Sequence, residues 1–153
     1  MKISALPLSH FAPLFTLDDA DLAEHGAKRV IADRNPGFPC RVSLEDAAPG
    51  ESLVLIRFMH QPTESPYRAS GPIFIREAAR QASFAVNEVP EQLRLRLLSL
   101  RAYTAEALMV DADVVEGRAL ESLVERLFMN PKVEYLHVHF ARAGCYACRI
   151  DRA

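Results

Sequence analysis

The chain has 153 residues, half of them apolar and a quarter charged, with a formal net charge of −2. We therefore expect a single domain over residues 1–153 with a core of its own, and no general field that would attract nucleic acid or an anionic membrane. No segment approaches the roughly twenty apolar residues that span a bilayer, and Pro7, Ser9, His10 and Pro13 interrupt the opening stretch, so the expectation is a cytoplasmic protein without an export signal.

In chain order, MKISALPL suits a short strand. TLDDADLAEHG reads as a short helix, capped by Thr16, with Asp18 and Asp19 at the positive end of its dipole and Gly26 as its terminator. KRVIAD is a strand candidate, and DRNPGFPCR is a turn-rich loop punctuated by Pro36, Gly37 and Pro39. Residues 53–59 form an apolar run too short for an ordinary helix, which predicts a strand covered on both faces. A proline-rich loop, QPTESPYRASGP, then leads to a further strand at IFIRE. Leu93, Leu95 and Leu97 alternate with Arg94 and Arg96, predicting a strand whose phase slips at Leu97–Leu98, with a division near residues 103–106. RALESLVERLFMNP is the clearest helix: Leu120, Leu123, Val124, Leu127 and Phe128 recur at helical spacing, and Asn130–Pro131 ends the pattern. In the last strand, Leu136, Val138 and Phe140 share one face, and Tyr135, His137 and His139 share the other. The predicted fold is α+β: a mostly antiparallel, strongly bent and partly closed sheet with two helices.

Three groups of residues could carry chemistry. Cys145 and Cys148 form a C-x-x-C, but too little chain follows for the helix that a thioredoxin-like site requires. A thiol cluster of Cys40, Cys145 and Cys148 remains, able to act as a redox group or, with one of His60, His137 or His139, to hold zinc. His137 and His139, two residues apart on a strand, point to the same side and could share a metal that activates water for hydrolysis. Such a metal needs a further ligand such as His60, since Glu134 lies on the opposite face. The simpler reading of this pair is a polar, half-exposed sheet face. Finally, the residue 60–71 loop is dense in polar groups: His60, Tyr67, Arg68 and Ser70 could converge with His137, His139 and Arg142 on a small anionic ligand. A Ser70–His60 nucleophilic pair lacks the G-x-S-x-G elbow.

The segments PCRVSLEDAAPGE, HQPTESPYRASGPIFIRE and YLHVHFARAGCYACRIDRA together resemble the bacterial DUF1203 family, a domain of unknown function, over nearly the whole chain from about Ser4. The resemblance implies a soluble bacterial protein and assigns no activity to particular residues. The leading expectation from the residues is a small-molecule ligand in a pocket between the residue 60–71 loop and the C-terminal strand. A zinc-dependent hydrolase and a thiol protein stand as alternatives, and the oligomeric state is left open.

Overall fold

The computed structural model describes all 153 residues. Eight strands form two antiparallel sheets. The strands are β1 (Lys2–Ser4), β2 (Ala27–Ile31), β3 (Ser52–Gln61), β4 (Ala69–Arg76), β5 (Leu97–Tyr103), β6 (Met109–Glu116), β7 (Tyr135–Phe140) and β8 (Tyr146–Asp151). The larger sheet runs β1-β8-β7-β5-β6 and the smaller β2-β3-β4. The α+β class and the antiparallel pairing are as expected from the sequence, but two open sheets replace the single bent and partly closed one. No helix is long and apolar enough to cross a membrane.

The helices are α1 (Asp19–Glu24), α2 (Glu91–Arg94) and α3 (Leu120–Phe128). Asp18, rather than Thr16, caps α1: its carboxylate accepts from the Ala20 and Asp21 backbone amides, both at 2.9 Å. A carboxylate at this position also meets the helix dipole, which a hydroxyl does not. Gly26 closes the helix at φ +64°.

The stretch expected to begin a strand at Leu93 is instead the single turn α2, followed by β5 from Leu97. Pro90 sets the extended entry (φ −64°, ψ 144°), and Glu91 occupies the first turn, where acidic side chains favour a helix. The leucine alternation there is a coincidence of spacing: Leu93 is buried while Leu95 is exposed. Gly117 explains how α2 docks. A Cβ at this position would lie 1.8 Å from the Leu93 carbonyl oxygen, so only glycine admits the backbone at that approach.

The main core lies between the first face of the larger sheet and α3. Leu98, Leu100, Leu136, Val138, Phe140 and Ile150 meet Leu120, Leu123, Val124 and Leu127 of the helix. A second core joins Val54, Ile73 and Ile75 of the smaller sheet to Leu6, Phe11, Leu14 and Leu22 of the N-terminal segment. β3 is less enclosed than its composition suggests, because Arg57 and Met59 face outward beyond Leu53 and Val54. β6 closes one side of the larger sheet, and its Asp111 and Asp113 both bind Arg126 of α3, at 3.3 and 2.8 Å.

Candidate functional site

The second face of the larger sheet is not half-exposed, as its alternation suggests. Every residue of β7 is buried. β3 covers this face through its side chains: His60 stacks on Tyr146 with ring centroids 5.1 Å apart, and Gln61 Nε2 donates to the Tyr135 hydroxyl at 2.8 Å. A single strand cannot show that a second sheet lies over its polar face, and the alternation rule assumes water there.

The covered face gathers three imidazoles. The His60 ring lies 6.0 Å from that of His137 and 5.1 Å from that of His139, and the latter two are 6.3 Å apart. His137 is 3% exposed and His139 1%. Burial holds the His137 pKa down at about 3, with the neighbouring His139 and His60 and the cations Arg149 and Arg101 adding to the effect. Burial likewise lowers His139 to about 4, with Arg101 next in weight. His60 is lowered by the same two causes. All three are therefore neutral at pH 7. His139 Nδ1 lies 3.1 Å from the Gly144 carbonyl oxygen, while His60 Nδ1, His137 Nδ1 and His139 Nε2 have no hydrogen-bond partner. No group of three or more His, Cys, Asp or Glu side chains is arranged to hold a metal ion, so the zinc expectation has no geometric support here.

Of the other residues expected around His60, Tyr67 reaches the histidine face through Tyr103, whose ring lies 5.2 Å from that of His137, while Arg68 and Ser70 engage other partners. Tyr67 packs edge-on to Tyr103 at 6.2 Å, Arg68 pairs with Glu64 at 3.2 Å, and the Ser70 hydroxyl accepts from Arg57 Nε at 2.9 Å. Ser70 and His60 thus form no nucleophilic pair. The three cysteines are all free thiols. Cys40 packs in the second core and its sulfur accepts from the Val42 and Arg76 amides, both at 3.4 Å. Cys148 packs in the main core, and burial pushes its thiol up to about 12. A β-bulge separates Cys148 from the other face: Val138 pairs with Cys148 but His139 pairs with Tyr146, so Tyr146 turns toward the histidines and Cys148 toward α3. Cys145, the half-buried one of the three, packs against the same main core as Cys148.

Arg142 lies in a different place again, on a cavity of about 800 Å³. Its walls are the residue 34–41 loop, the outer face of β3 and β4 at Leu55, Pro72 and Phe74, the α2–β5 junction, and the β7–β8 turn with Cys145. Four arginines line it, Arg34, Arg41, Arg96 and Arg142, against one carboxylate, Glu116. The residue 60–71 loop takes no part in it.

Arg41 is the central group. Its backbone is pinned on both sides: the Leu6 amide donates to its carbonyl at 2.8 Å, and its own amide donates to the Phe74 carbonyl at 3.1 Å. Its side chain is 1% exposed. Nε donates to the Tyr146 carbonyl at 2.7 Å, Nη1 to the Pro39 carbonyl, and Nη2 to the Cys145 sulfur at 3.0 Å. None of these acceptors is a carboxylate. Burial lowers the guanidinium pKa, and the Cys145 sulfur acts in the opposite sense. Arg96, by contrast, is neutralised by a bidentate pair with Asp46, at 2.8 and 2.5 Å. Both guanidinium carbons sit over the Phe140 ring, at 5.1 Å for Arg41 and 5.0 Å for Arg96. Sequence spacing could not find this set, since the four arginines come from three separated segments and share no motif.

An α+β protein of two antiparallel sheets, with a cationic cavity beside the β7–β8 turn, is the class that fold and site define. The chain belongs to the family described as "Protein of unknown function (DUF1203)", whose model matches residues 37–152. That span includes Arg41, Arg96, Arg142 and Cys145 but stops short of Arg34. Nothing among the curated proteins or the solved structures matches the chain.

Proposed function

We propose that this protein binds a small anionic molecule in the arginine-lined cavity. The observation that carries the reading is Arg41, a buried guanidinium with no carboxylate partner, in a cavity lined also by Arg142 and by two paired arginines, Arg96 with Asp46 and Arg34 with Asp33. Taking a guanidinium out of water without a counter-ion is costly, and an anion in the cavity relieves that cost. A guanidinium has five N–H donors, and three hydrogen bonds engage Arg41, so two donors remain for a ligand. The cavity volume falls in the range of small-molecule sites, and Phe74, Phe140, Leu55 and three prolines supply apolar wall for the body of a ligand. Carboxylate and phosphate both fit the planar guanidinium donors.

The test is thermal unfolding with inorganic phosphate, citrate and a nucleoside monophosphate, each matched for ionic strength against sodium chloride. At least one of the three is expected to raise Tm, since a ligand at a hundred times its Kd stabilises by about 2.7 kcal/mol. Arg142→Ala should remove most of that rise. If none of the three raises Tm beyond chloride, the anion-site reading fails.

A further inference from the structure

We propose that Cys145 captures acidic disulfides, forming a mixed disulfide whose carboxylates rest on the cavity arginines. The inference rests on the anion-site reading and names a ligand class for it. Cys145 differs from the other two thiols in three respects. It is partly exposed while Cys40 and Cys148 are fully buried, it lines the cavity, and it accepts a hydrogen bond from the buried Arg41. The sulfur therefore stands at the inner wall of a cationic chamber, with Arg142 exposed three residues earlier in the same turn and Arg34 across the cavity.

The chemistry is ordinary thiol–disulfide exchange. Cys145 gives its proton to solvent, and its sulfur attacks one sulfur of the small disulfide. The bond between the two small-molecule sulfurs breaks as the Cys145–sulfur bond forms. The departing thiolate takes up a proton, so Cys145 is oxidised and the leaving half is reduced. Arg41 Nη2, 3.0 Å from the Cys145 sulfur, stands beside the negative charge that moves through the step. The adduct persists until an external thiol removes it. Cys148 is fully buried and burial pushes its thiol up to about 12, so it is a poor nucleophile for resolving the mixed disulfide from within the chain.

The experiment compares two aliphatic disulfides, dianionic glutathione disulfide and dicationic cystamine, on the native protein at low salt. Each rate is divided by that disulfide's rate with free N-acetylcysteine, and the product is counted by intact mass. One adduct per chain is expected, with a normalised preference for the anion of about tenfold or more. The preference should shrink as salt rises. Arg142→Ala and Arg34→Ala, both changes at exposed positions, should each lower it by roughly threefold while leaving the cystamine rate equal or faster. Cys145→Ser should take no adduct. A normalised ratio near one, a ratio that neither arginine variant moves, or an adduct that survives Cys145→Ser would each overturn the proposal. Phosphate and citrate binding to Cys145→Ser separates the two ideas. Binding without disulfide selectivity sinks the capture alone, and the loss of both in the wild type sinks the anion site as well.

Discussion

β7 presents two faces that are equally buried and chemically opposite. Leu136, Val138 and Phe140 meet α3, while Tyr135, His137 and His139 meet β3 and Tyr146. The first face is apolar throughout and stabilises the fold whatever the pH. The second is stable only while its imidazoles remain uncharged, because three rings within about 6 Å of one another cannot accept protons without desolvated like charges. Burial alone does not distinguish the two faces. What separates them is whether the buried groups have a second protonation state.

The largest expected effect breaks the apolar face. Leu136→Ala removes a fully buried side chain from the main core and should cost about 2–5 kcal/mol in urea unfolding, nearly independently of pH from 7.5 to 5.5. A cost below about 1 kcal/mol would mean that this face does not hold α3.

The histidine face should reveal itself through acid sensitivity. The folded pKa values of His137 and His139 lie below the ordinary 6.5, so the folded state binds fewer protons than the unfolded chain. Stability is therefore complete above about pH 6.5 and declines as pH falls toward 4, by roughly 1.4 kcal/mol per pH unit for each histidine. His60 acts in the same direction. Glu51 and Glu121, held low by Arg76 and Arg94, add their own loss only below their ordinary 4.5, which leaves pH 4.5 to 6.5 as the histidine window. Flat urea midpoints across that window would contradict the burial of these rings.

A milder change sharpens the contrast. His137→Phe keeps a flat ring but enlarges it at a buried position, and should cost about 1–3 kcal/mol at pH 7.5. It should also remove one histidine's share of the acid slope, so that its deficit against the wild type narrows as pH falls toward 5. An unchanged slope would assign the acid sensitivity to other groups.

The smallest effect lies on the far side of α3. Glu121 pairs with Arg94 in a partly exposed bidentate contact. Glu121→Ala should cost no more than about 1 kcal/mol, the usual limit for such pairs. A larger loss would place that ion pair on a par with the core.

Much of this contrast was legible in the chain. Helical spacing located α3, and period-two alternation set His137 and His139 on one side and Val138 on the other. Those patterns are local and follow from backbone periodicity. The cover over the histidine face was not legible, because it depends on β3 arriving from far away in sequence. The Val-Pro-Glu-Gln at residues 89–92 did carry a helix-start signal that the leucine alternation masked. The cavity shows the same limit more strongly. Arg142 was expected at an anion site, but its companions Arg34, Arg41 and Arg96 lie in segments joined only by tertiary structure. Neither the outlying positions of Arg68 and Ser70 nor the burial of Cys40 and Cys148 leaves a mark in local spacing.

The Arg126 contact with Asp111 and Asp113 also bears on how the protein behaves among its own copies. β6 ends the larger sheet, so one side of its backbone is free, and Val110 and Val114 are exposed beside it. Such an edge is a template on which another chain can add a strand. Two β6 edges meeting in that way would bring Asp111 and Asp113 of one copy against the same carboxylates of the other. The pair of aspartates that anchors α3 would thus also oppose strand addition along the one long edge of that sheet, and their joint neutralisation would turn the sheet's border into a seam.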